Sequence, residues 1–317
     1  MSLEDKLHGK IKILNETLWE GKGSYKKVNA WLNNFNEDEK IHALYLLSQC
    51  IYFNDFQIKQ LLISIYRDYF KYPNIATIRR KNGNTLDEKI INKEYDKIIN
   101  NTRFVCVGNP SESSARLMGD FRKENKLHKS LFITEFQISS CKKEVENFVF
   151  LDDICGSGNQ MVEYTKDVIP LIKSKFPKAK TYYFLLLGTI DGKNFIRKKT
   201  EIDIVESVLE LDNSFKAFNK DSRVFKNIPS EIEINKIKDF SGKNGKRLMS
   251  SIFQRINPMI DHHELNFYCE RDKFGYKDGQ YLIAFTHNTP DNTLPILWYN
   301  EGIVTWNSIF KRAHKIY

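Results

Sequence analysis

The sequence predicts an α/β fold: a mostly parallel sheet with flanking helices, preceded by a small helical domain. Three observations carry that expectation. From residue 102 onward, short apolar runs alternate with amphipathic stretches, the pattern of successive βαβ units. The strand candidates are apolar along their whole length, as a sheet covered on both faces requires. The first seventy residues instead carry apolar side chains at helical spacing.

In the front part, Asn36 with Glu39 three places on forms an N-terminal capping pattern. Ile41, Leu44, Leu47 and Ile51 then recur at helical intervals, so a helix is expected across residues 36–53. Over residues 53–70, Ile58, Leu61, Leu62, Ile65, Tyr66 and Tyr69 share one face. An earlier segment around Val28, Trp31 and Leu32 is expected to pack with them. Residues 1–75 are therefore read as a winged-helix-like or bundle module. Pro73, Gly83 and the basic cluster Arg79, Arg80 and Lys81 mark residues 76–101 as a junction, with a short helix around residues 86–99.

Residues 102–317 are read as the α/β domain with a C-terminal extension. "RFVCVG" is its first strand, and "SESSARLMGDFRKEN" a helix capped by Ser111 or Ser113. "SLFITEF", "NFVFL", "TYYFLLLGT" and "IDIVESVLEL" supply further strands. A helix starts near Ser157, and Pro170 is expected to kink or end it. In the tail, "QYLIAFTHNTPDNTLPILWYN" gives a strand, a polar loop and a second apolar run, either extending the sheet or forming a flanking piece.

The 317 residues are 41% hydrophobic, 28% charged and 13% aromatic, which suits a densely packed globular chain and not a disordered one. The densest apolar run, "YYFLLLGTI", is too short for a membrane span, and the charged start is unlike a secretory signal. Five scattered cysteines without CxxC spacing point to reduced thiols in the cytoplasm. The net charge of +9 favours anionic partners, but it is spread along the chain as a lysine-rich surface would be. A GxSxG elbow, a Walker loop and a dinucleotide fingerprint are all missing. His262 and His263 are adjacent and diverge on any regular element, so they read as surface residues. His287, Asn288, Asp291 and Asn292 fit turn chemistry, and Trp298 and Trp306 fit the core or an interface.

The chemistry concentrates in "FVFLDDICGSGNQ" (148–160). Asp152 and Asp153 lie where a buried strand ends, and adjacent carboxylates ask for a compensating partner. Ribose hydroxyls or a bound Mg²⁺ would both serve. Gly156, Ser157 and Gly158 let the backbone curl so that its N–H groups, with a helix N-terminus, receive an anion. The plainer alternative is a Ser157–Gln160 capping box beside solvated carboxylates.

This stretch resembles the phosphoribosyl pyrophosphate (PRPP) motif of type I phosphoribosyltransferases. The resemblance implies that Asp152 and Asp153 face the ribose hydroxyls and share a Mg²⁺, and that Cys155, Gly156, Ser157, Gly158, Asn159 and Gln160 wrap the 5-phosphate. The family's preceding pyrophosphate loop corresponds to Gly108, Asn109, Pro110, Ser111, Glu112, Ser113 and Ser114; a plain capped turn is the alternative there. Gly156 and Gln160 stand where members often carry Thr, and the first change forgoes about 1 kcal/mol of hydrogen bonding. The family's flexible catalytic loop has no evident counterpart in the short "TEFQISSCKKEVEN", which bears on turnover more than on binding.

The likeness spans residues 102–212. The helical front and the "HNTPDNTLPILW" tail lie outside the ordinary enzymes and look like the phosphoribosyltransferase-like proteins of bacterial conflict (anti-phage) loci, some associated with retrons. Two functions are implied. One is a ribose-phosphate or nucleotide ligand processed at the anomeric carbon. The other is a non-catalytic, nucleotide-sensing regulator whose N-terminal helices bind nucleic acid or a protein partner, as in purine-operon repressors. A homo-oligomer fits either.

Overall fold

A computed structural model describes residues 1–107, 113–300 and 303–312. The chain forms two compact units, Met1–Asp55 with Asp212–Tyr317, and Phe56–Leu211. This division differs from one at residues 75 and 102, and the reason lies in where the apolar faces are buried.

The first unit begins with α1 (Leu3–Thr17), α2 (Tyr25–Leu32) and α3 (Glu37–Leu47). Ser2 and Asp5 close a capping box on α1, and Asn36 and Glu39 close the expected one on α3. The helix predicted to reach residue 53 stops at Leu47; Ile51–Phe53 becomes a strand, β1. Ile51, Tyr52 and Phe53 all favour extended backbone, and a parallel partner, Ile283–Phe285, takes up their hydrogen bonds.

The second unit opens with α4 (Asp55–Tyr66), which passes through a π-helical turn (Arg67–Lys71) into α5 (Tyr72–Lys81), and α6 (Glu88–Asn100) follows. The expected junction is thus helical. Pro73 sits in the first turn of α5, directly after the π-helical turn, where the wider winding accommodates its ring and missing N–H. The strands are β2 (Thr102–Cys106), β3 (Phe132–Ile133), β4 (Asn147–Cys155), β5 (Lys180–Thr189) and β6 (Ile204–Leu211), joined in one sheet of order β3-β2-β4-β5-β6, all parallel. Between them run α7 (Ser113–Glu124), α8 (Asn159–Lys175) and α9 (Ile190–Lys199). On one face Phe104, Tyr182 and Phe184 meet Phe70, Tyr69 and Phe121 from α4–α5 and α7. On the other, Phe148, Phe150, Tyr183 and Leu185 pack with Met161, Ile169, Ile172 and Ile196 of α8 and α9. Helices 55–81 therefore serve this sheet and not the front module. Pro170 lies inside α8 without ending it. It is on the exposed side, where water can satisfy the carbonyl it leaves unpaired.

After β6 the chain returns to the first unit with α10 (Ile234–Ile256), α11 (His262–Asp272), β7 (Ile283–Phe285) and α12 (Pro295–Trp298). Leu44, Leu47, Trp31 and Phe35 share a core with Phe240, Leu248, Ile296 and Trp306. The Trp31 indole N–H donates to the Ile296 carbonyl at 2.7 Å. The tail strand thus pairs with β1 in a separate two-stranded sheet and does not extend the main one. Trp298 and Trp306 are buried as core residues. His262 and His263 are exposed at the start of α11, where Asp261 caps the helix.

His42 is 4% exposed, and neither ring nitrogen has a hydrogen-bond partner among the described residues. Burial lowers its pKa, and Lys236 lowers it further against the opposing pull of Glu233. The unfolded chain therefore binds this proton first. Stability should be full above about pH 6.5 and fall below it, with a slope of at most about 1.4 kcal/mol per pH unit from this group. Urea titrations at pH 7.5 and 5.5 should show a smaller pH difference for His42→Leu than for the wild type.

Candidate functional site

In the sheet order β3-β2-β4-β5-β6, the chain builds outward to β3 and then reverses to β4. The reversal lies between β2 and β4, and their following helices, α7 and α8, cover opposite faces. In open parallel sheets the crevice for a ligand opens at such a switch point, beyond the strands' carboxyl ends. β4 runs on through Asp152 and Asp153 to Cys155, further than the sequence suggests, and residues 156–160 leave the central strand there. Local sequence cannot reveal strand order, so this coincidence becomes visible only in the fold.

Asp152 is half-buried and Asp153 is 8% exposed. The Asp153 N–H donates to Asp152 Oδ1 at 2.9 Å, and the Ile154 N–H donates to Asp153 Oδ1 at 2.8 Å. The Tyr183 hydroxyl donates to Asp152 Oδ2 at 3.1 Å. Burial, and next the Asp152 charge, hold the Tyr183 pKa far above its usual value, so the phenol stays a donor. The pair is thus pre-oriented by backbone amides and a core tyrosine. Nothing in the local sequence signals Tyr183, which reaches Asp152 only because β5 lies beside β4 in register.

Gly156, Ser157 and Asn159 are half-buried, and Gln160 is exposed. Helix α8 begins after Gly158, whose φ of 78° is left-handed, and no side chain caps it. The Ser157–Gln160 capping box is therefore not formed, and the N-cap is a glycine. A Cβ at Gly158 would stand 2.8 Å from the Gly192 carbonyl oxygen and 3.0 Å from Ile196 Cγ1. Glycine meets both demands, the positive φ and the close approach. Cys155 departs from the expected pattern: its side chain is 3% exposed and packs with α8 and α9 in the core. Burial, with the Asp152 charge adding, pushes its thiol up to about 12, so it is a neutral core residue and not a nucleophile.

Two further elements adjoin the loop. Thr189 ends β5 and caps α9: its hydroxyl accepts from the Gly192 N–H at 2.8 Å and donates to the Gly156 carbonyl oxygen. Lys193, 2% exposed in the first turn of α9, ion-pairs with Glu210 near the end of β6 at 2.6 Å. More than half of the Glu210 side chain is exposed. Glu210→Ala should therefore cost about 1–3 kcal/mol, below the range of a fully buried pair, while Lys193→Met should be near neutral. Chemical denaturation of the two variants checks the asymmetry.

Of the earlier loop, Gly108, Asn109, Pro110, Ser111 and Glu112 lie outside the described residues, and Ser113 and Ser114 open α7. Among the described residues no group of three or more His, Cys, Asp or Glu side chains could hold a metal. Two adjacent carboxylates suit Mg²⁺ only when a ligand supplies most of its oxygens. No helix among the described residues is long and apolar enough to cross a membrane.

The parallel sheet, the acidic doublet and the glycine-capped loop can now be set beside known proteins. The model of the PRTase-CE family matches residues 28–312. The chain belongs to the PRTase-CE family. Its members are phosphoribosyltransferase-like effectors, and the match takes in α2 from Val28 onward, α3 and the tail as well as the sheet, while α1 lies outside it. No curated protein and no solved structure matches the chain. For this PRTase-CE protein the site is therefore read from its own residues.

Proposed function

We propose that this PRTase-CE protein binds PRPP, or a related ribose phosphate or nucleotide, at residues 152–160 and acts at the ribose anomeric carbon as a cytoplasmic anti-phage effector. The observation that supports this best is position: the acidic doublet lies near the end of β4, and the loop that follows, with left-handed Gly158 and the uncapped α8 N-terminus, leaves that central strand at the switch point. Asp152 and Asp153 accept hydrogen bonds from the ribose hydroxyls. The N–H groups from Gly156 to Gln160 receive the 5-phosphate, and residues 108–114 the pyrophosphate. Asp152 and Asp153, together with ligand oxygens, would hold Mg²⁺, which would supply charge neutralisation to the pyrophosphate. The bond from the anomeric carbon to the pyrophosphate oxygen breaks, pyrophosphate leaves with the electron pair, and the acceptor's bond to that carbon forms. The carboxylates oppose the positive charge that develops on the ring.

Thermal-shift measurements with PRPP, nucleotides and Mg²⁺, separately and combined, test the binding. At a ligand concentration of about 100 Kd the gain is about 2.7 kcal/mol, which raises Tm by about 5–10 °C. No shift with any ribose phosphate, with or without Mg²⁺, would sink the reading.

One feature favours a second reading. Between β3 and β4 the chain makes a single 3₁₀ turn, Glu135–Ser140, and a short connection, where the family's flexible catalytic loop would be expected. A site without that loop suits a nucleotide-sensing regulator whose N-terminal helices contact nucleic acid or a partner protein. Pyrophosphate release from PRPP supports the enzyme; saturable binding without product, with salt-sensitive nucleic-acid binding, supports the regulator.

A further inference from the structure

We infer that Thr189 is a positioning residue for the phosphate loop, fixing which way the Gly156–Ser157 peptide faces. The inference rests on the ribose-phosphate reading of residues 152–160. Thr189 stands at the end of β5, outside the motif, and its one hydroxyl makes two bonds. It donates to the Gly156 carbonyl oxygen and accepts from the Gly192 N–H. A hydroxyl can do both at once, having one proton and two lone pairs.

The consequence follows from peptide geometry. In a trans peptide the C=O and the next N–H point in opposite directions, and no described peptide is cis. With the Gly156 oxygen drawn toward α9, the Ser157 N–H is turned away from α9. Among the described residues no acceptor takes that N–H. An amide turned away from α9 and without a partner among the described residues is a donor oriented before the ligand arrives, and such preorganisation saves the cost of ordering it on binding. Without the hydroxyl, nothing else on α9's first turn would hold the Gly156 oxygen, because Gly192 has no side chain. None fits there either: a Cβ at Gly192 would overlap the Gly156 oxygen and stand 2.7 Å from Thr189 Oγ1. The contact is backbone against backbone, and among the described residues the threonine hydroxyl donates the side-chain hydrogen bond that holds the Gly156 oxygen.

Thr189→Val removes the hydroxyl at nearly constant volume, and Thr189→Ser retains it. Isothermal titration with ribose 5-phosphate should show affinity reduced at least tenfold by Val and held within about threefold by Ser. If Val binds as the wild type does, the positioning role is overturned and the phosphate site stands. If the wild type itself binds no ribose 5-phosphate, the site reading fails, and the positioning role with it. A second measurement needs no variant. In wild-type protein labelled with ¹⁵N-serine, the Ser157 amide resonance should move on saturation with ribose 5-phosphate. An unmoved Ser157 resonance in a protein that binds the ligand overturns the inference, even if the valine variant does not fold.

Discussion

Exchanging Asp152 and Asp153 together for asparagine is expected to weaken ribose-phosphate binding at least a hundredfold while moving Tm by no more than a few degrees. Each carboxylate that accepts from a ribose hydroxyl forms a charge-assisted hydrogen bond, worth about 1.5–3 kcal/mol. Two such losses come to about 3 kcal/mol or more, which is two decades in Kd. The fold should tolerate the change, because the internal bonds among the described residues that hold the doublet, from the Asp153 and Ile154 amides and the Tyr183 hydroxyl, do not need the charge. An asparagine oxygen can still accept from the Asp153 and Ile154 N–H groups, and the Tyr183 hydroxyl can accept from an amide as readily as it donates to a carboxylate. Relief of repulsion between adjacent carboxylates acts in the same direction. Asp152→Ala behaves differently. It strands the buried Tyr183 hydroxyl and should cost about 1–3 kcal/mol of stability. Titration with ribose 5-phosphate and thermal melts of the three proteins distinguish the outcomes. A double asparagine variant that binds normally but melts far lower would make the carboxylates structural.

The motif was legible because its chemistry is local: strand, doublet and loop are consecutive, and the sheet strands announce themselves as buried apolar runs. What sequence could not reveal was long-range. The front helices share a core with residues 217–310 because β1 finds β7, a pairing that no local pattern encodes. Pro73 and Gly83 read as breakers, yet Pro73 follows directly on the π-helical turn, and the helix runs on through it to Lys81. Pro170 was expected to break α8, but it lies on the exposed side, where hydration replaces the lost bond. Cys155 reads as part of the phosphate loop, whereas its side chain turns into the α8–α9 core. Tyr183, Thr189, Gly192 and Lys193 carry no motif of their own. They meet the loop through the β4–β5 register, which pairs Cys155 with Gly188.

That register makes Gly192→Ala the sharpest test of the loop's packing, because helix propensity predicts the opposite sign. Within α9, glycine to alanine should stabilise by about 1 kcal/mol if nothing else intervened. Here the new methyl would overlap the Gly156 carbonyl oxygen and stand 3.0 Å from Cys155 Sγ, and a backbone oxygen can yield only if the whole loop shifts. Overpacking of this kind costs about 1–3 kcal/mol or more. The expected net result is a loss of about 2 kcal/mol, a fall in Tm of about 4–8 °C, with ribose-phosphate affinity falling too as the loop is displaced. Gly119 in α7 is the internal control: a Cβ there meets nothing within 4 Å, so Gly119→Ala should raise stability by about 1 kcal/mol and leave binding alone. Gly158→Val joins the first class, adding a β-branched side chain at positive φ to a 2.8 Å approach to the Gly192 oxygen. Its binding loss would therefore be inseparable from its stability loss. The alanine pair avoids that ambiguity, since opposite signs from one chemical change can come only from what each methyl meets. If Gly192→Ala stabilises as Gly119→Ala does, the two loops are not in contact, and the seat for phosphate at residues 156–160 loses the support on which its shape depends.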